Sequence, residues 1–74
     1  MLYPRQSRAA RALLGWRQEE LAQASGVPRV TVQRFEDGKS DPRVSTRDRL
    51  EQTLEAAGCE LINVPGRVGV ILHA

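Results

Sequence analysis

Apolar residues recur at helical intervals along the chain as far as Gly58 and then switch to alternation. Within Arg5–Leu14 they fall at Ala9, Ala10, Leu13 and Leu14, the three- and four-residue spacing of an amphipathic helix. Pro4 fits the first position of that helix and Gly15 a left-handed stop. A second helix is predicted over Gln18–Ser25, with Glu19 and Glu20 in the first turn, where the macrodipole favours acids, and with Leu21 and Ala22 inward. A third is predicted from about Pro28 to Asp37, with Val32 and Phe35 inward and Gly38 as its stop. Lys39–Val44 reads as a polar loop. Ser45-Thr46-Arg47-Asp48 fits a capping box that opens a fourth helix, whose buried stripe is Leu50, Leu54 and Ala57. Beyond Gly58, Cys59–Val64 and Arg67–Leu72 are rich in β-branched residues and flank Pro65-Gly66, which predicts two short strands.

The window Gln18–Asp37 carries the informative geometry. Two helices meeting across a tight turn need a small residue where they cross, a residue tolerant of positive φ in the turn, and buried anchors in the second helix. Ala22, Gly26 and Val32 meet these needs at intervals of four and six residues, and Phe35 adds an anchor about one turn on. If Val32 and Phe35 face inward, then Arg29, Val30, Gln33 and Arg34 face outward. These residue types suit base edges: Arg bonds guanine, Gln bonds adenine, and a Val methyl packs on the thymine methyl.

Gln18-Glu19-Glu20-Leu21-Ala22, Ser25-Gly26-Val27 and Phe35-Glu36-Asp37-Gly38-Lys39 together resemble the lambda-repressor/Cro-like (XRE-type) helix-turn-helix family, over roughly Arg5 to Leu61. The resemblance implies a mainly α fold: a four-helix domain over residues 1–58, with its motif at 18–37. The short two-stranded β-extension over 59–74 lies mostly beyond the resemblance. It implies that the third helix enters the major groove with Arg29, Val30, Gln33 and Arg34 reading bases. Gln18 takes the phosphate-anchor position, with Arg17 and Thr31 beside it, and Lys39, Ser40 and Arg43 form a second phosphate clamp. Arg11 and Glu36 match a structural ion pair. Two departures stand out: Arg17 and Pro28 occupy positions where the family usually has a capping Ser or Thr. The implied function is a DNA-binding transcriptional regulator, a repressor that binds a palindromic operator as a homodimer, cytoplasmic and nucleoid-associated in a bacterial or phage-like setting. Two rivals stay open. One is an antitoxin-like regulator whose strands also bind a second protein, and the other is a protein-interaction module without DNA contact.

Composition narrows this picture more than it widens it. Seventy-four residues make one domain with a thin core. Residues 1–43 hold eight basic side chains against five acidic, residues 44–74 three against four, and ten of the eleven basic residues are Arg. The single Cys59 permits no intrachain disulfide, and its lack of a nearby His or second Cys argues against zinc. One His, at position 73, supports no catalytic set, and no glycine-rich phosphate loop is present, so neither an enzyme nor a cofactor is expected. No apolar run is long enough to span a membrane.

The tail is the least conventional segment. Ile62, Val64, Val68, Val70, Ile71 and Leu72 are candidates for a dimerisation element. The twist of a Pro-Gly turn does not suit a two-residue hairpin loop, which favours a wider loop or pairing between subunits. The alternative is a hairpin that folds back onto its own helices.

Overall fold

The computed structural model describes residues 1–74. Its elements follow the order α1 (Pro4–Leu14), α2 (Gln18–Ser25), α3 (Arg29–Glu36), α4 (Val44–Ala56), β1 (Cys59–Val64) and β2 (Arg67–Leu72). Helices α1 and α2 start on half of a capping box each. The Tyr3 amide donates to Gln6 Oε1 at 3.0 Å, and the Arg17 amide to Glu20 Oε1 at 2.9 Å. Neither Tyr3 nor Arg17 returns a side-chain cap, so the orphan N–H groups of those first turns are only partly satisfied. Gly26, at φ 76°, makes the sharp turn from α2 into α3. Pro28 then sets the entry angle of α3, and its carbonyl accepts from the amides of Thr31 and Val32.

Helix α4 departs from its predicted start. Val44, not the residue after Ser45, is its first residue, and Ser45 lies exposed within the first turn, so the predicted capping box does not form. The first turn is held from the side instead. Arg47 pairs with Asp41 and lies 5.9 Å from the Phe35 ring centroid, a cation–π contact that joins α4 to α3.

Leu2, Ala10, Leu21, Val27, Val32, Phe35, Leu50, Leu54 and Cys59 form the buried core, with Leu14, Trp16, Ala22, Leu61 and Val70 packed around it. Two positions of the predicted inward stripe of α1 are solvated: Ala9 is exposed and Leu13 is 49% exposed, while Ala10 is fully buried. Ala57 is only half-buried, because it caps the end of α4 rather than facing the core. Leu2, ahead of any periodic pattern, is a core residue all the same.

The two strands pair with each other, antiparallel, in the register Cys59↔Leu72 through Val64↔Arg67. Pro65 and Gly66 alone form the loop, which corrects the expectation of a wider loop: β1 and β2 pair within one chain. Gly66, at φ 80°, takes the positive φ that a Pro-Gly turn demands. The poor twist match is outweighed by anchorage further down. Cys59, Leu61 and Val70 face the helices. Gln6, buried in α1, donates from Nε2 to the carbonyls of Ile62 (3.2 Å) and Gly69 (3.0 Å) and to Asn63 Oδ1 (2.8 Å). The hairpin thus rests on α1 and α4, while α3 rests on α1 and α2.

Candidate nucleic-acid interface

Helix α3 turns one face to the core and the other to solvent. Val32 and Phe35 are 0% and 1% exposed, whereas Arg29, Val30, Gln33 and Arg34 all lie on the open face. Burial of an aromatic and a branched aliphatic stabilises such a helix by about 1.5–3 kcal/mol per side chain. That packing fixes which residues point out.

The end of α3 is fixed by a buried carboxylate. The Glu36 side chain is fully enclosed. Arg11 donates to it from Nη2 at 2.6 Å and from Nε at 2.9 Å, Ser7 Oγ at 2.6 Å, and Gln18 Nε2 at 3.2 Å. Burial alone pushes this carboxyl up. The hydrogen bonds from Arg11, Ser7 and Gln18, together with the Arg11 charge, outweigh burial and hold it below its ordinary 4.5. Arg8 Nη1 caps the Glu36 carbonyl at 3.0 Å, and Arg11 Nη1 reaches the Trp16 carbonyl at 3.2 Å. One carboxylate therefore joins α1, α2 and α3. At the other end of α3, Ser25 Oγ accepts from the Val27 amide at 3.2 Å and shapes the turn.

The residues expected at phosphate fall into two groups. Arg17, Lys39 and Arg43 are exposed, and no carboxylate pairs with them or with Arg34. Gln18, Thr31 and Ser40 are half-buried. Gln18 spends one amide hydrogen on Glu36, which leaves one for an outside acceptor. Arg29 Nε lies 3.8 Å from Glu19 Oε1 across the motif, with both side chains about half exposed. Ser7 and Arg8 were missed by sequence reasoning. Ser7 stands one turn before Arg11 on the same helix face, a signal that could have found it; Arg8 carries none.

A family model for the helix-turn-helix matches residues 8–58. The chain belongs to the lambda-repressor-like (XRE-type) helix-turn-helix family. The helix-turn-helix protein is accordingly a DNA-binding transcription regulator, of a domain family that is regulatory rather than normally enzymatic. The matched span ends where the hairpin begins. Among curated proteins none matches the chain. No helix is long and apolar enough to cross a membrane. Burial pushes the Cys59 thiol above its ordinary 9.0, which keeps it protonated at neutral pH as a small core hydrophobe.

Proposed function

We propose that the protein is a sequence-specific repressor that binds a two-fold symmetric operator as a homodimer, in the cytoplasm and on the nucleoid. The observation that carries this reading is the open face of α3. Arg29, Val30, Gln33 and Arg34 project from a helix locked at both ends, with only the loose Glu19 contact competing for Arg29. In the major groove the two arginines bond guanine, Gln33 bonds adenine and Val30 packs on a thymine methyl. Arg17, Gln18 and Thr31 approach phosphate on one side of the groove, and Lys39, Ser40 and Arg43 on the other. Residues 1–58 read DNA and residues 59–74 join the copies through Ile62, Val64, Val68, Val70, Ile71 and Leu72. Occupation of the operator excludes polymerase.

Selection of bound sequences from a random duplex pool tests this. The expected product is an inverted repeat with half-sites about 10 base pairs apart, centre to centre. A pool that never converges would overturn sequence-specific readout, and convergence on a single asymmetric half-site would overturn the dimeric operator. Capture of a second protein by the strands is a rival use of Val64, Val68, Ile71 and Leu72, which are all exposed. A second protein that co-purifies in defined proportion, and is released by changes at these residues, would favour it.

A further inference from the structure

The edge of β2 makes a specific form of the homodimer available, and the argument rests on the homodimer reading above. In a two-residue hairpin the closing pair is hydrogen-bonded, and bonded and non-bonded pairs then alternate. Val64–Arg67, Ile62–Gly69 and Glu60–Ile71 are therefore the bonded pairs. The bond from the His73 amide to the Gly58 carbonyl, at 2.9 Å, continues the same alternation. Val68, Val70 and Leu72 consequently aim their backbone N–H and C=O groups away from β1, and no other group in the chain bonds them. Strand β1 offers no equal edge, since it begins inside the core at Cys59 and its Asn63 side chain is engaged by Gln6 and Met1.

Beside the β2 edge runs a groove between the strand and α1, lined by Arg5, Gln6, Ala9, Val68, Gly69 and Val70. Leu13, 49% exposed, stands one helical turn beyond Ala9 on the same side of α1. We propose that a second copy of this chain occupies that edge, β2 against β2, antiparallel, with Val70 opposite the partner's Val70. Three features select this register. It alone pairs all three outward residues, with Val68 opposite Leu72 twice and Val70 opposite itself, for about six backbone hydrogen bonds. It sets Gly69 opposite the partner's Ile71 on the outer face, where a side chain at Gly69 would meet nothing within its own chain; Ile71, 44% exposed, fills that space. It also sets Arg67 opposite the partner's His73, whose ring lies 2.7 Å from Glu60, so an unpaired cation meets a carboxylate on each side of the axis. A shift by two residues in either direction loses one bonded pair and the Gly69–Ile71 fit. The result is a four-stranded sheet in place of an isolated ribbon, which is marginal in water.

Two variants of the full chain test the register. Val68→Pro removes one outward N–H per copy and leaves the hairpin's own ladder intact, because that N–H is not used within the chain. It is expected to weaken dimerisation about tenfold or more in sedimentation, with unchanged circular dichroism. Mixing Gly69→Cys chains with Ile71→Cys chains under mild oxidation is expected to give a disulfide-linked dimer that neither variant forms alone; the buried Cys59 is common to both. A wild-type dimer with full-strength Val68→Pro association, or with no excess cross-link in the mixture, would overturn the edge pairing and leave the homodimer reading intact, with its interface in the helices. Wild-type chain that sediments free as an 8.2 kDa species at every concentration, and occupies its DNA site as a single copy, would overturn both.

Discussion

Helix α3 and the C-terminal hairpin are held against the same α1 by opposite means. Helix α3 is tied by a buried charge: Glu36 receives Arg11, Ser7 and Gln18, and two fully buried side chains press its inner face into the core. The hairpin is tied by one neutral amide, Gln6, and by Cys59, Leu61 and Val70, while Val64, Val68, Ile71 and Leu72 remain in solvent. The difference suits the proposed function. A helix that must present side chains to base edges needs a fixed position and an open polar face. An edge that is to be covered by another chain needs unpaired backbone and apolar side chains, and gains little from internal reinforcement.

The sharpest way to break the comparison is to unpair the buried charge. Arg11→Ala leaves the Glu36 carboxylate enclosed without its cation, and urea denaturation is expected to show a loss of about 3–5 kcal/mol. Glu36→Ala should cost less, because Arg11 keeps some access to solvent. A double-mutant cycle is expected to show strong coupling; additive losses would mean that the pair does not act as a unit.

Gln6→Ala strikes the hairpin in the same way and should cost less, about 1–3 kcal/mol, since the carbonyls it serves keep their ladder partners. Hydrogen exchange is the discriminating measurement. Amides of β1 and β2 should lose protection while those of α3 keep theirs; equal loss in both regions would deny the hairpin its separate anchorage.

On the DNA side, Gln33→Ala or Arg34→Ala is expected to reduce specific binding by about 1–3 kcal/mol and to relax base preference locally, with folding unchanged. Lys39→Ala and Arg43→Ala should weaken specific and random duplex alike and lower the salt slope by about one. A salt titration in which these loop variants change base preference instead would exchange the roles of the two groups.

The smallest effect is in pH. Glu36 is held below its ordinary 4.5 in the folded chain, so the unfolded chain takes up its proton first. The stability this carboxylate contributes is complete above 4.5 and is lost as pH falls through the lower folded value. Thermal melting between pH 7 and pH 3 should show this acid loss in the wild type and a shallower slope in Glu36→Gln. Identical slopes would mean that the carboxylate is not specially stabilised.

Much of this architecture is legible in the chain itself. The boundaries of the first three helices follow from local chemistry: Pro4 and Pro28 fix φ, Gly15 and Gly26 admit the positive φ that ends a helix, and the intervals among Ala22, Gly26 and Val32 specify a helix pair with one inner and one outer face. The outward placement of Arg29, Val30, Gln33 and Arg34 follows from that periodicity. Other features depend on atoms far apart in sequence. Nothing local sends Leu2 into the core, buries Gln6 beneath a hairpin nearly sixty residues away, or starts α4 ahead of its serine cap through Arg47, Asp41 and Phe35. The Pro65-Gly66 turn shows why. Its intrinsic twist disfavours a tight hairpin, but that preference is small beside the combined burial of Cys59, Leu61 and Val70 and the three acceptors gathered by Gln6. Local sequence determined the helices and the face that α3 presents, because periodicity and backbone restriction act within a few residues. Tertiary structure decided the strand pairing, the free edge of β2 and the enclosure of Glu36, because those are settled by summed burial and hydrogen bonding between distant segments.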